Sequence, residues 1–292
     1  MKKLYIRISF LIFLYFPSGY TFAQQLSFGI VTDIHFAEIP KSGTRRYTQS
    51  LDKLKECTAI MNEQKVDFLV ELGDFKDMSQ PPDEQKTLGF LKQVEEVFCS
   101  FDGPRYHVLG NHDEDCISKE EFLSICGNSG IDTKKSYYSY NSGGFHFVVL
   151  DANYDSAGQD FDHGHYNWGD PNIPEKEMKW LEDDLKESNE SVIIFIHQLL
   201  DGAASYQVKN AAQVRAVLEN SGKVKCVFQG HYHEGNYSEN NGIPYYTLRS
   251  LVRGRYPWGS SYAIVTVSAE TIKIRGFRKA KSLTLESGIS TK

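Results

Sequence analysis

Residues 105–113 read RYHVLGNHD, and the meaning of that stretch decides how the rest of the chain is understood. Its first half is β-prone, with Tyr106, Val108 and Leu109 suited to a short buried strand. Gly110 then lets the backbone turn without a Cβ clash. An amide, an imidazole and a carboxylate follow in consecutive positions: Asn111, His112 and Asp113. A polar turn is one explanation, because Asn and Asp are ordinary turn residues. A chemical site is the other, because in open α/β sheets chemistry collects beyond the carboxyl ends of strands. The nine residues alone leave the two evenly matched. Four other strand ends break the tie.

Working outward, residues 26–32 (LSFGIVT) form an apolar run ending in Asp33-Ile34-His35. Residues 66–72 (VDFLVEL) end in Gly73-Asp74, residues 191–196 (SVIIFI) in His197, and residues 223–229 (KVKCVFQ) in Gly230-His231-Tyr232-His233. Helical patterns occupy 44–64, 83–98, 118–126, 174–188 and 208–220, with Pro174 at a first turn and Gly222 as a stop. Residues 136–140 and 145–150 suit a hairpin closed by Gly143-Gly144, and strands recur at 243–251, 260–268 and 271–277. Alternating strands and helices followed by clustered strands indicate the α/β class. No repeat or low-complexity linker divides the chain, so one domain over 24–278 is expected, with a polar tail at 279–292 that has few anchors.

Asp33 and His35 lie two apart, which in extended backbone directs them to the same side. His231 and His233 repeat that spacing. Each pair alone is unremarkable, but together the chain concentrates costly polar groups at one edge for no structural return. The donor set is Asp33, His35, Asp74, Asn111, His197, His231 and His233. Imidazole, carboxylate and amide oxygen without thiolate suit divalent Mn, Fe, Zn or Co. Seven donors exceed the needs of one ion, so a two-metal centre bridged by Asp74 is the economical arrangement. Two ions about 3.5–4 Å apart hold the attacking and leaving oxygens of a phosphoryl transfer. They also lower the pKa of a bound water from 15.7 to about 7, making hydroxide the nucleophile.

The first 23 residues read as an export signal: Lys2, Lys3 and Arg7, a short apolar run at 8–16, and Thr21-Phe22-Ala23 before a cleavage point. That apolar run is too short to span a bilayer comfortably, so stable membrane insertion is not expected. No cysteine stands near the cleavage point, which argues against a lipoprotein. The expected location is the periplasm or the exterior. Removal leaves 269 residues, enough for one large α/β domain. It also takes away three cations and no acids, so the net charge of −6 becomes about −9. A negative surface argues against binding of nucleic-acid polymers. The five cysteines, Cys57, Cys99, Cys116, Cys126 and Cys226, contain no Cys-x-x-Cys pair, which disfavours a thiolate zinc site. Export permits disulfides, and Cys116 and Cys126 flank one helical segment.

Asp33-x-His35, Gly73-Asp74-x-x-Asp77, Gly110-Asn111-His112-Asp113, His197 and Gly230-His231-x-His233 resemble, in order, the signature blocks of calcineurin-like metallophosphoesterases. The likeness runs from about residue 28 to 233. It implies a four-layer α/β/β/α sandwich, two mixed β-sheets flanked by helices, with a di-metal centre at one edge. Carried over by position, Asp33, His35 and His233 would bind one ion and Asn111, His197 and His231 the other, with Asp74 on both. His112 would be catalytic, acting on the phosphoryl group or protonating the leaving oxygen, with Asp113 orienting its ring. Phe75, Lys76 and Asp77 stand where purple acid phosphatases carry a tyrosine ligand, which disfavours that branch. The chain also resembles bacterial cyclic-nucleotide phosphodiesterases. Thr44-Arg45-Arg46-Tyr47 and the Trp180-Leu181 helix resemble Mn-dependent ADP-ribose/CDP-alcohol diphosphatases, which usually have Gln in place of His35.

The expected function is hydrolysis of small phosphoester or nucleotide phosphodiester and diphosphate substrates. The alternatives are a phosphomonoesterase of the same fold and a catalytically silent metal-binding module. Arg45, Arg46, Arg249, Arg253 and Arg255 are candidates for phosphate, and Tyr166, Trp168, Tyr256 and Trp258 for a base. His163 and His165 either extend the site or lie in a solvated loop, while His107 and His146 fall within strands and read as structural.

Overall fold

The structure, a computed structural model, describes residues 25–202 and 204–286. The expected export signal lies outside the described residues. No helix among them is long and apolar enough to cross a membrane.

Among the described residues, twelve strands form two six-stranded sheets. They are β1 (Leu26–Val31), β2 (Phe68–Glu71), β3 (Arg105–His107), β4 (Tyr138–Ser142), β5 (Phe145–Val149), β6 (Ser191–Ile196), β7 (Val224–Gln229), β8 (Asn236–Asn240), β9 (Ile243–Thr247), β10 (Ser261–Val267), β11 (Thr271–Arg278) and β12 (Leu283–Glu286). One sheet runs β12-β11-β10-β1-β2-β3, the other β4-β5-β6-β7-β9-β8. β1, β2 and β3 are parallel while β10 is antiparallel to β1. In the second sheet β5, β6, β7 and β9 are parallel, with antiparallel β4 and β8 at the edges.

Period-2 alternation explains the layering. On β6, Ile193 and Phe195 face the other sheet, whereas Val192, Ile194 and Ile196 face outward. Phe28, Phe68, Phe147, Phe195 and Phe228 fill the space between the sheets. Phe28 stacks on Phe68 at 4.9 Å and meets Phe147 and Phe195 edge-on. Helices α1 (Ser50–Gln64), α2 (Glu84–Phe98) and α3 (Lys119–Ile125) cover the first sheet, through Leu54, Met61, Leu91, Val94 and Phe122. Helices α4 (Glu175–Glu187) and α5 (Ala211–Ser221) cover the second through Leu181, Leu185, Val214 and Leu218. The four-layer sandwich of two mixed sheets is therefore the observed architecture.

Two elements differ from the sequence reading. The polar tail at 279–292 is not without anchors: Leu283–Glu286 pairs with β11, and Leu285 is buried. Its single buried apolar residue gives too little alternation to register as a strand. β8 was unanticipated as well, because its residues are NYSEN and mostly exposed; it survives as an edge strand on β9's backbone hydrogen bonds.

Candidate metal centre

β1, β2, β6 and β7 end at one edge of the sandwich, and the segment after β3 joins them. All seven candidate donors come together there. Asp33, His35, Asp74 and His233 present donor atoms within 4.8 Å of one another, and Asp74, His197 and His231 form a second such group. Asp74 belongs to both. Its Oδ2 stands 3.4 Å from His35 Nε2 and 3.2 Å from His197 Nε2. Asn111 lines the same cleft, with its Oδ1 buried and unpartnered.

The local backbone is not extended, as the Asp-x-His spacing suggested. Asp33, His35, Asp74 and His231 all have positive φ, at 50°, 46°, 58° and 63°. Four non-glycine residues in this sparsely populated region within one site store strain that the surroundings must outweigh. Close approach of the chains explains two of the glycines. A Cβ on Gly110 would sit 2.2 Å from Asp74 N, and one on Gly230 would sit 2.1 Å from Thr32 Oγ1.

The hydrogen bonds leave selected atoms free. Asp33 Oδ2 accepts from Thr32 Oγ1 at 2.8 Å and from His231 N at 3.2 Å, so Oδ1 is turned to His233 Nε2, 3.0 Å away. His197 Nδ1 donates to Leu72 O at 2.7 Å, which turns the Nε2 lone pair into the site. Asn111 Oδ1 and His231 Nε2 are buried without a hydrogen-bond partner, while His197 Nε2 faces Asp74 Oδ2 at 3.2 Å. His35 Nε2 and His233 Nε2 approach to 3.0 Å. Two like nitrogens that close, with orphaned acceptors beside them, form a set that divalent cations complete. The residues present therefore fit two ions sharing Asp74.

Charge is correspondingly concentrated. Burial would raise Asp33, but the His233 and His35 imidazoles hold it far below the usual carboxylate range. Asp74 is likewise held low by His197, His112 and His35. Burial beside His197 pulls His231 down to about 3, keeping it a neutral donor.

His112 differs from its neighbours in being partly open, with a side chain 27 % exposed. Its Nδ1 lies 2.6 Å from Asp115 Oδ2 and 3.4 Å from Asp77 Oδ1. Asp115 rather than Asp113 therefore orients the ring. Asp113 accepts from the backbone N–H groups of Gly110, Asp74 and Phe75 at 2.8–3.0 Å, clamping two ligand loops together. A 3-10 turn at Asn111–Glu114 explains the exchange of roles, since it brings position i+3 beneath position i. Tyr166 is not in the cleft. It stacks on Phe161 at 4.3 Å and donates to Asp115 Oδ1 at 2.5 Å, and so supports that carboxylate.

A cleft of about 820 Å³ opens above the two groups. Of the candidate arginines, only Arg45 and Arg253 line it; of the candidate aromatics, only Trp168. Tyr206, Tyr232 and Glu234 also line it, and sequence reasoning missed them. Arg46 instead binds the carbonyls of Gly43 and Arg45. His163 pairs with Asp162 at 2.7 Å outside the cleft. His146 pairs with Asp184 at 2.7 Å, and His107 lies between Glu71 and Glu95; both are structural. All five cysteines are free.

A sandwich with paired carboxylate–imidazole groups at one edge defines the class of metallophosphoesterases. Residues 26–235 match the family model described as calcineurin-like phosphoesterase. The chain belongs to that family and is a metal-dependent phosphoester hydrolase. It is 26 % identical to a manganese-dependent ADP-ribose/CDP-alcohol diphosphatase of Oryza sativa, over 87 % of this chain and 91 % of the relative. It is 23 % identical to a probable cyclic nucleotide phosphodiesterase of Fibrobacter succinogenes, over 72 % and 73 %. A dimetal phosphatase from Danio rerio has a similar fold, with a TM-score of 0.79 at 21 % identity, covering 90 % of this chain and 99 % of that one.

Proposed function

We propose that this chain is an exported di-metal hydrolase of small phosphorylated substrates, acting on nucleotide phosphodiester or diphosphate linkages. The observation that carries the reading is the pair of donor groups meeting at Asp74 Oδ2, with the unpartnered Asn111 Oδ1 and His231 Nε2 buried beside it. Asp33, His35 and His233 would hold one ion and Asn111, His197 and His231 the other, with Asp74 shared. Bound there, two divalent ions supply positive charge for phosphoryl oxygens and acidify a water near neutral pH.

The chain's own residues do the rest. Asp115 and Asp77 fix the His112 ring at Nδ1, leaving Nε2 as the face available to substrate. Burial opposes protonation of His112, but Asp74, Asp77 and Asp115 outweigh it and raise its pKa well above the usual value. A protonated His112 donates to the leaving oxygen as charge builds there. Relatives named as diphosphatases support the choice of nucleotide-derived substrates, and the N-terminal apolar segment supports export.

The test is a hydrolysis panel with added Mn²⁺, Zn²⁺, Fe²⁺ or Co²⁺, covering ADP-ribose, CDP-choline, cyclic AMP, bis-p-nitrophenyl phosphate and p-nitrophenyl phosphate. Turnover of ADP-ribose or CDP-choline above the monoester is expected. Turnover confined to p-nitrophenyl phosphate would replace this reading with a phosphomonoesterase. No turnover with any metal would leave a silent binding module.

A further inference from the structure

The cleft above the metal groups has two unlike walls. One is aromatic: Tyr206 lies 5.6 Å from the His231 ring, 5.2 Å from Tyr232 and 6.4 Å from Trp168, which is 54 % exposed. The other is cationic and carries Arg45 and Arg253. These two arginines are far apart in sequence, yet an antiparallel bridge sets Arg45 directly against Arg253. The segment around Arg253 is held from below. Buried Lys53 of α1 points its Nζ at the carbonyls of Leu251, Val252, Arg253 and Gly254, at 2.8–3.1 Å. Gly254 N adds a bond to Thr44 O at 2.9 Å. The fold thus invests a buried lysine in fixing two cations at the mouth of a site that otherwise collects carboxylates.

Glu234 occupies this wall. One of its oxygens meets Arg253 Nη1 and the other meets Arg249 Nη1 at 2.9 Å. Glu234 is about half exposed whereas Arg253 is only 21 % exposed, so the arginine is the fixed partner and the carboxylate the movable one. A phosphate is the better match for a planar guanidinium, through paired N–H···O bonds. An incoming anion would take the place of the Glu234 carboxylate.

We propose that Arg45 and Arg253 form a second anion subsite, with Glu234 as a resident competitor, which selects substrates bearing a further phosphate beyond the one over the metals. The planar end of such a substrate lies on the Tyr206 and Trp168 wall. The proposal rests on the hydrolase reading above for what happens at the metals, and names the feature of substrate that this cleft selects.

Calorimetric titration of the Mn²⁺-loaded protein with ADP and with AMP tests it. Wild type binds ADP roughly 10–100-fold more tightly than AMP, the range for charge-assisted hydrogen bonds. In the R45M/R253M double variant that ratio falls to within about threefold, the scale of an exposed charge pair. E234Q, an exposed change that leaves both arginines in place, moves the ratio the other way. Tyr206→Ala weakens both ligands alike, because the ring is common to them. The kinetic counterpart is the ratio of kcat/KM for ADP-ribose to that for bis-p-nitrophenyl phosphate, which falls in the double variant and rises in E234Q. An undiminished ADP preference in the double variant, or weaker ADP binding in E234Q, overturns the subsite. Retained ADP preference with no hydrolysis of any substrate overturns the hydrolase reading and leaves the subsite standing.

Discussion

Two histidine–carboxylate groups lie near the ends of β2 and β3, and they do opposite things. At the edge, His35, His112, His197, His231 and His233 gather around Asp33, Asp74 and Asp77. At the last residue of β3, His107 lies between Glu71 and Glu95, with Nδ1 3.3 Å from one carboxyl group and Nε2 3.2 Å from the other. Cys126 completes a group of three donors that by composition could hold an ion. The surroundings separate them. His107 is sealed among Phe75, Phe98 and Phe122, and each of its nitrogens faces a carboxyl group. In the edge site, two imidazole nitrogens, His35 Nε2 and His233 Nε2, face each other at 3.0 Å. A buried imidazole and carboxylate satisfy each other; like donors converging on one point call for an ion. The difference lies in pairing, not in residue type.

Asp74→Asn puts the contrast under the greatest strain. It alters the one oxygen that both donor groups share and removes a negative charge from between the two proposed ion sites. Metal content by elemental analysis is expected to fall from about two ions per chain to below one, and turnover to drop by more than the 10²–10³-fold typical of losing one polar stabilising group. Two ions retained would defeat the bridging role.

His112→Ala comes next. Both ions should remain while kcat falls about 10²–10⁴-fold, the range for general acid–base groups. The loss should shrink for p-nitrophenolate, a leaving group that needs little protonation. Equal losses on good and poor leaving groups would remove His112 from the acid role. Asp115→Asn should cost less, about 10–100-fold, as for groups that orient a catalytic or ligating side chain. Asp113→Asn should instead disturb metal content, because Asp113 clamps the loops carrying Asp74 and Asn111. If Asp115→Asn left activity untouched, the assignment of the orienting carboxylate would be wrong.

His107→Leu probes the sealed group. Leaving Glu71 and Glu95 without their partner should destabilise the fold by about 3–5 kcal/mol, the cost of breaking a buried pair from one side. Denaturant unfolding measures that, and the folded fraction should keep its full metal content. An ion fewer per chain would show that the sealed group also binds metal, and the contrast would fail.

The smallest effect is on pH dependence. Burial opposes protonation of His107, but Glu95 and Glu71 outweigh it and raise its pKa to about 10. Its contribution is therefore complete below about 6.5, the unfolded value, and is lost as pH rises through about 10. Burial pushes Glu71 up to about 8, so the folded state favours its protonated form and loses stability as pH rises from about 4.5 to 8. Thermal unfolding temperature should decline from neutral to alkaline pH. Glu71→Gln should flatten the portion below about pH 8 and leave the decline toward 10. A melting temperature that rises between pH 7 and 10 would refute the pairing.

Much of the metal edge was legible because each donor is announced locally. A strand is recognisable from a few residues, and a costly polar group at its end is conspicuous wherever the chain places it. That is how Asp33, Asp74, Asn111, His197 and His231 could be assembled into one site without coordinates. The sealed group was legible only in part. His107 read as structural from its place in a strand, but nothing local to it pointed to Glu71 or Glu95. Asp115 lay within reach of sequence reasoning, since i+3 in a tight turn falls beneath i, yet adjacency favoured Asp113.

Local patterns in the chain were enough for the α/β class, the order of the strands that end in donors and the chemical identity of the donor set. Those properties follow from periodicity and residue type over a few positions. The folded arrangement was needed to show that Asp33, His35, Asp74 and His231 adopt positive φ, that Leu283–Glu286 pairs at a sheet edge, and that Arg45 meets Arg253 above a lysine. These depend on contacts between segments up to some 200 positions apart, where the free energy comes from packing and paired charge rather than local propensity. No local window of sequence contains both partners.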